Sequence, residues 1–298
     1  MTSRPVPPVW RSILYVPGNV AKFIDRAHER GADCVLIDLE DSVQPAQKPE
    51  ARAMLPEAMK KVAKGGADVA VRINRPMRLA MADLEAAVRP GLSALFITKT
   101  ESVQHLRLLD EAVSELEKER GMPAGSVGFG AMIEHPRALA HINDIAEHAP
   151  RLIGMMLGGE DFALETGSVP GDETLELPKR LVAFAAQAHN VPMIGILGTV
   201  ADYSDPEAYK KSAERARRFG FSGGTCIHPG LVGALNEAFT PRAEDVAYAR
   251  KLIEADKKAQ AEGRGSFSLD GKMIDIPVID RAAKLLARHE AIERRLRR

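Results

Sequence analysis

Between residues 12 and 227, short apolar runs alternate with longer amphipathic stretches, and little chain is left over between them. The runs are Ser12–Val16, Asp33–Ile37, Val69–Ile73, Ala94–Ile97, Val127–Ile133, Leu152–Leu157, Val191–Leu197 and a last one that ends at Gly224–Ile227. Each is short enough for a strand and is bounded by turn residues such as Pro17-Gly18. The stretches between them carry helical spacing, as in Val103, Leu106, Leu109, Val113 and Leu116. Nearly continuous apolar strands joined by helices predict a parallel sheet with helices on its outer face. Eight such units in roughly 235 residues match the length of a closed barrel. The expected fold is therefore α/β: a (β/α)8 TIM barrel over residues 1–238, followed by a C-terminal helical segment over 239–298. That segment is expected to pack on the barrel or on a neighbouring subunit. An open dinucleotide-binding sheet fits less well, because Gly128-Phe129-Gly130 lacks a third glycine and falls inside a strand.

Individual elements follow from local signals. Asn19 is placed to cap a helix running to about Arg30, and Pro178 to open the sixth helix. Past the eighth run, Glu244–Glu262 reads as a helix and Gly263–Ser266 as a flexible joint. Phe267–Lys272 reads as a turn or short hairpin, and about Val278–Arg297 as a last helix.

Charge and cysteine content narrow the function. Lys+Arg and Asp+Glu both number 41 in 298 residues, so the net charge is zero. A chain built to coat nucleic acid or an anionic membrane would carry an excess of one sign, so neither partner is expected. No apolar run reaches membrane-spanning length, and the first residues lack the apolar core of a signal peptide. Cys34 and Cys226, the only cysteines, lie in strand-like stretches and read as small buried hydrophobes. The expected compartment is the cytoplasm.

In a barrel of this kind the chemistry sits where the strands end at their C-terminal edge. Reading those ends gives Asp38, Glu40 and Asp41 after the second strand, Arg72 and Asn74 at the third, and Lys99 after the fourth. Glu134 follows the fifth strand, and Glu160 and Asp161 follow the sixth. The stretch Leu157-Gly158-Gly159-Glu160-Asp161-Phe162 pairs two glycines, which let the backbone approach a ligand, with two carboxylates. Glu160 and Asp161 also suit the first turn of a helix, and that alternative stands beside a ligand role. An acidic ring around one arginine suits a divalent cation with hard oxygen ligands and an anionic substrate. Glu134 and Asp161 are the natural pair for Mg²⁺, and Arg72 for a developing oxyanion. Backbone N–H groups around Gly159 to Phe162 are placed to hold a carboxylate. Zinc is not expected, because no His/Cys cluster has ligand spacing. His228, at the end of the eighth run, reads more simply as a structural hydrogen-bonding residue.

Several motifs resemble one family in order along the chain. They include Leu14-Tyr15-Val16-Pro17-Gly18-Asn19, Ile37-Asp38-Leu39-Glu40-Asp41-Ser42, Lys48 with Ala51-Arg52, and Val71-Arg72-Ile73-Asn74. Ile133-Glu134, Leu157-Gly158-Gly159-Glu160-Asp161, Ile227-His228-Pro229 and Gly271-Lys272-Met273-Ile274-Asp275 complete the series. Together they resemble the citrate lyase β-subunit and malyl-/citramalyl-CoA lyase family, from residue 11 to about 280.

The resemblance implies a Mg²⁺-binding TIM barrel with Glu134 and Asp161 as metal ligands. It implies a β-hydroxyacyl-CoA thioester of the citramalyl-, malyl- or citryl-CoA type, cleaved to an acyl-CoA and a 2-oxo acid. Arg72 would recognise the oxo acid, and Asp275, contributed by a neighbouring subunit, would be the acid/base at the acyl-CoA α-carbon. Glu40 and Asp41, with Asp38, would support catalysis by holding the waters of the metal. Gly159, Glu160 and Asp161 would line the substrate site, and Lys22 and Arg52 would be candidates for the CoA phosphates. Assembly as a homotrimer or hexamer is implied as well. The chain departs from many relatives at Pro192–Gly198, where they carry an aspartate, and at Thr98-Lys99-Thr100-Glu101, where they carry a proline before the lysine. Two other activities fit the same resemblance: a CoA-independent class II aldolase acting on a 4-hydroxy-2-oxo acid, and the β subunit of a citrate lyase complex that uses an acyl-carrier protein.

Overall fold

Seven parallel strands hydrogen-bond in the order β6-β5-β4-β3-β2-β1-β7 in the computed structural model, which describes residues 4–199, 203–263 and 265–297. The strands are β1 (Ser12–Pro17), β2 (Cys34–Asp38), β3 (Asp68–Ile73), β4 (Leu92–Ile97), β5 (Gly128–Ile133), β6 (Leu152–Leu157) and β7 (Gly224–Cys226). The helices between them are α1 (Ala21–Ala27), α2 (Lys48–Val62), α3 (Met77–Ala87), α4 (Val103–Glu119), α5 (Pro136–Leu139) and α6 (Ile142–His148). They continue with α7 (Gly159–Thr166), α8 (Asp172–Ala188), α9 (Pro206–Arg218) and α10 (Val232–Ala238). The chain divides into two compact units, Met1–Phe239 and Thr240–Arg298.

The expected seventh strand, Val191–Leu197, is not a strand. Two isolated parallel bridges stand in its place, Met155 with Met193 and Ile194 with Gly223. Pro192 has no N–H to donate, and Gly195 turns the backbone to φ +140, so a ladder cannot propagate through the stretch. The described residues therefore show a seven-stranded parallel α/β sheet rather than the closed eight-stranded barrel expected from the sequence. Two smaller expectations also change. Asn19 does not cap α1, whose N-cap is Val20; its amide donates instead to Gln47 at 3.0 Å. Helix α8 begins at Asp172, with Pro178 inside it, because Asp172 and Glu173 in its first turn favour the helix dipole ahead of the proline.

The period of two along each strand sorts side chains onto two faces. Leu14, Val16, Val35, Ile37, Val71, Ile73, Leu95, Ile97, Ala131 and Ile133 join the helices in the main core. Ile13, Cys34, Leu36, Ala70, Phe96 and Met132 form a second cluster on the opposite face, with Ile153 and Met156 of β6. Gly130 leaves room there, since a Cβ on it would come within 2.9 Å of the Phe96 ring. Cys34 and Cys226 are both free and buried. No helix among the described residues is long and apolar enough to cross a membrane.

Immediately before β6, Arg151 is fully buried and ties that strand to α4. Its guanidinium pairs with Glu117 at 2.8 Å and Asp110 at 2.5 Å. Cutting one partner of so buried a pair typically costs about 3–5 kcal/mol, so this cluster fixes β6 against α4.

The second unit contains α11 (Ala243–Ala261), the antiparallel hairpin β8 (Phe267–Leu269) and β9 (Lys272–Ile274), and α12 (Ile276–Leu296). Asp270 and Gly271 both take positive φ, which suits a two-residue hairpin turn. Ala249, Leu252, Ile274 and Ala282 form its small core. The expected joint at Gly263–Ser266 lies partly outside the described residues.

Candidate active site

Asp38, Arg72 and Glu134 each stand two residues past a member of the second core cluster: Leu36, Ala70 and Met132. Strand periodicity thus keeps them on that face, and the parallel register brings the strand ends together, with Asp38 opposite Arg72 in the β2–β3 pair. There Arg72 and Glu134 border a cavity of about 190 Å³, whose lining also includes Tyr15, Asp41, Gly159, Glu160, Asp161 and Lys179, while Asp38 holds Arg72 from outside the lining.

Arg72 is the centre of the charged group. Its Nε donates to Asp38 Oδ1 and its Nη2 to Asp38 Oδ2, both at 2.7 Å. Nη1 lies 2.9 Å from Glu40 Oε2 and 3.6 Å from Asp41 Oδ2. The Glu40 contact is an ion pair out of hydrogen-bond alignment, since Oε2 is buried with no hydrogen-bond partner. Beneath the guanidinium lies the Tyr15 ring, 5.2 Å from its centroid. Burial opposes the charge on Asp38, but the two hydrogen bonds from Arg72 outweigh it and hold its pKa below the usual carboxylate range.

The carboxylates toward the cavity behave differently. Glu134 is 2 % exposed, and burial pushes its pKa up to about 8, with the nearby charges of Asp161 and Glu40 adding to the rise. Burial also raises Glu40, to about 7. Gly158 cradles Glu134: a Cβ at that position would lie 2.5 Å from its Cγ and Oε1. Lys99, at φ 48, points its backbone N–H at Glu134 Oε2, 2.6 Å away. Its ammonium stands 3.4 Å from Glu40 Oε1 and 3.5 Å from Asp161 Oδ1. Burial works against that ammonium, yet Glu40 and Asp161 raise its pKa.

Glu160 and Asp161 do occupy the first turn of α7, but neither caps it through its side chain. Glu160 accepts from Thr199 Oγ1 at 2.5 Å. Arg52 and Lys22 are not part of this lining. Arg52 donates to Asp83 at 2.7 Å, and Asp83 in turn accepts from the Asn74 backbone and amide. Lys22 borders a separate hollow of about 350 Å³ with Phe23, Arg26, Arg30 and His228. His228 Nδ1 accepts from the Gly230 N–H at 3.2 Å, and its ring stacks on Tyr203. Asp275 is the N-cap of α12 in the second unit and makes no side-chain cap. Tyr15 and Lys179 were given no role from the sequence. Tyr15 had a signal, since it shares the strand face of Ile13; Lys179 was hidden by the late start predicted for α8.

Among the described residues no three His, Cys, Asp or Glu side chains cluster to hold a metal alone. Glu134 and Asp161 offer hard carboxylate oxygens, and Mg²⁺ is commonly held by one or two carboxylates with water and substrate completing its shell. The donor set fits such a cation, and the cradle at Gly158 fits a carboxylate that must be aimed.

Residues 11–229 match the model of the HpcH/HpaI aldolase/citrate lyase family. The chain belongs to this family. It is 34 % identical to the citrate lyase subunit beta of Haemophilus influenzae over 93 % of this chain and 96 % of that one. With the (3S)-malyl-CoA thioesterase of Cereibacter sphaeroides it shares 31 % identity over 95 % of each. The protein CitE of Mycobacterium tuberculosis, solved with magnesium, acetoacetate and coenzyme A, superposes with a TM-score of 0.73 at 27 % identity. That match covers 96 % of this chain and 98 % of the other. Family membership makes the chain an enzyme, a carbon–carbon lyase.

Proposed function

We propose that this family member is a Mg²⁺-dependent lyase that cleaves a β-hydroxyacyl-CoA thioester to an acyl-CoA and a 2-oxo acid. The observation that carries the reading is Arg72, locked to Asp38 on one edge, in the wall of the cavity that Glu134 and Asp161 also line. The magnesium, acetoacetate and coenzyme A bound by the M. tuberculosis relative support the choice of ligands.

The chain's own residues divide the work as follows. Asp38 uses the Nε–Nη2 edge of Arg72, so the guanidinium is fixed and its remaining N–H donors serve the oxo-acid oxygen as charge develops there. Glu134 and Asp161 would hold Mg²⁺, which would supply Lewis-acid charge to the developing oxyanion. Backbone N–H groups at the start of α7 take the substrate carboxylate. Glu40, its pKa raised to about 7 by burial and its Oε2 set beside Arg72 Nη1 rather than in the cavity lining, takes the proton of the β-hydroxyl by way of one water. The Cα–Cβ bond then breaks, and its electrons pass into the thioester as an enolate. Asp275 of a neighbouring copy returns a proton to the α-carbon. Asp41 stays beside Arg72 to keep the cluster charged. Lys22, with Arg26 and Arg30 around the same hollow, is the better placed of the two basic candidates for CoA phosphates, because Arg52 is engaged by Asp83.

The reading includes a ring closed by 192–195 as an eighth barrel strand, for which the two bridges give support. It includes a homotrimer or hexamer, supported by the exposed Leu177, Leu181 and Phe184 on α8. It also includes a cytoplasmic setting, consistent with two free cysteines.

The test is cleavage of malyl-CoA, citramalyl-CoA, citryl-CoA and 4-hydroxy-2-oxo acids, each with Mg²⁺ and with EDTA, following acyl-CoA and oxo-acid release. Mg²⁺-dependent cleavage of one thioester is expected. Activity on free oxo acids alone would move the chain to CoA-independent aldolase chemistry, and silence on the panel would point to an acyl-carrier partner.

A further inference from the structure

Lys179 is a buried cation with few partners. It stands on α8 among Leu175, Val182 and Ala186, is 5 % exposed, and borders the same cavity as Arg72, Glu134 and Asp161. Among the described residues its ammonium makes one hydrogen bond, to the carbonyl of Gly198. An ammonium has three N–H donors, so two are left unused. Lys48, equally buried, is by contrast bound to two carbonyls, those of Leu39 and Glu40.

The acids near Lys179 are already engaged. Asp172 is paired with Arg215 at 2.7 Å, and Glu160 accepts from Thr199. Neither comes within ion-pair distance of Lys179 among the described residues. Burial, opposed by Asp172 and Glu160, lowers its pKa to about 8, as expected of a cation short of a counter-ion. Its neighbours in the cavity wall include Met156, Met193, Ile194 and Ile196. An apolar wall holding one unsatisfied ammonium favours a ligand that brings an anionic group to that spot.

We propose that Lys179 seats a second carboxylate of the 2-oxo acid, so that the cavity selects a dicarboxylic oxo acid over its monocarboxylic counterpart. The inference rests on the oxo-acid reading of the site. Arg72 and the backbone N–H groups at the start of α7 take the 2-oxo carboxylate end, and Lys179 takes the distal one. The lysine then gains the partner that the protein withholds, and the ligand is read at both ends. Among the thioesters considered above, this favours the one whose oxo-acid half carries the extra carboxylate, the citryl type.

The test compares oxaloacetate, freshly prepared, with 2-oxobutyrate, in which a methyl group replaces the distal carboxylate. Binding of each to the full chain in Mg²⁺ is measured by calorimetry, for the wild type and for Lys179→Met. The wild type is expected to prefer oxaloacetate by about tenfold or more, the effect of one charge-assisted hydrogen bond in a dry site. Lys179→Met is expected to abolish that preference while affinity for 2-oxobutyrate and for Mg²⁺ is retained. A variant that keeps the preference, or that loses both acids alike, would overturn the proposal and leave Lys179 as a tie between α8 and Gly198. A wild type that binds both acids equally well would overturn it too, with no variant needed. Failure of either acid to bind the wild type would sink the oxo-acid reading itself, and this proposal with it.

Discussion

The backbone N–H of Lys99 is hydrogen-bonded to Oε2 of Glu134 at 2.6 Å, from a left-handed conformation that a lysine seldom adopts. The same residue's ammonium reaches toward Glu40 and Asp161, so one strained position touches three carboxylates. Strain of this kind persists where the surroundings impose it, and here it aims a donor at a buried acid of the cavity wall.

A fixed cation 3.5 Å from Asp161 competes with any metal that Asp161 binds. Lys99→Met removes that charge and keeps the length of the side chain. Mg²⁺ affinity, read by calorimetry at low salt, is expected to rise by about fivefold, with the gain shrinking as salt is added. Weaker Mg²⁺ binding in the variant would mean that the ammonium helps to organise the site rather than opposing the cation.

Glu134 gives the metal-free protein a definite pH dependence. Its folded pKa, about 8, lies above the ordinary value of 4.5, so the folded state holds a proton that the unfolded chain releases. Stability from this group is full below about pH 4.5 and is lost as pH rises through about 8. Glu40, raised to about 7, acts in the same direction. Melting in EDTA should therefore show Tm falling from pH 5.5 to 8.5, and Glu134→Gln should flatten the slope. A Tm that climbs over that range, or a slope unchanged in Glu134→Gln, would contradict this assignment.

Proton release should accompany metal uptake for the same reason. Mg²⁺ needs the carboxylate, so its affinity is expected to strengthen as pH rises toward 8, with heat that depends on the buffer's ionisation enthalpy. Buffer-independent heat at pH 7 would show that Glu134 is already ionised or does not take part.

Gly158→Ala tests aim without changing charge. The added Cβ would sit 2.5 Å from the Glu134 side chain, a distance that forces the carboxylate to move. Mg²⁺ affinity should fall by about tenfold or more, as for loss of an orienting neighbour, while the far-UV spectrum stays that of the parent. Undiminished affinity would remove Glu134 from the metal site.

Asp275→Ala should stop exchange of acyl-CoA α-protons with solvent yet leave oxo-acid binding as it is. Mixing Asp275→Ala with a cavity variant such as Arg72→Ala should restore some activity if the aspartate works from a neighbouring copy. No restoration in any mixing ratio would confine Asp275 to its own chain.

Much of the fold is legible in the sequence. The six runs from Ser12 to Leu157 became β1 to β6 because a parallel strand buried on both faces has little choice but to be apolar. Asp38, Arg72, Glu134 and Asp161 come together because parallel strands end at one edge. What the sequence concealed lies where backbone conformation overrides composition. Val191–Leu197 is as apolar as any strand here, yet Pro192 and Gly195 leave only two bridges. Lys99 gives no hint in its neighbours that it will take positive φ. Arg52 looked free for a phosphate because its partner, Asp83, lies 31 residues away on another helix.

The segment from Met193 to Ile196 lines the cavity, yet it is tied to its neighbours by single bridges rather than by a ladder. A substitution within a laddered strand disturbs every pair it shares, whereas one in this seam disturbs few. The wall that decides what fits is thus the one most open to revision. In a lineage of such proteins, the fittings for a new substrate can be tried at 193–198 while the arginine, the acids and the sheet that carries them stay as they are.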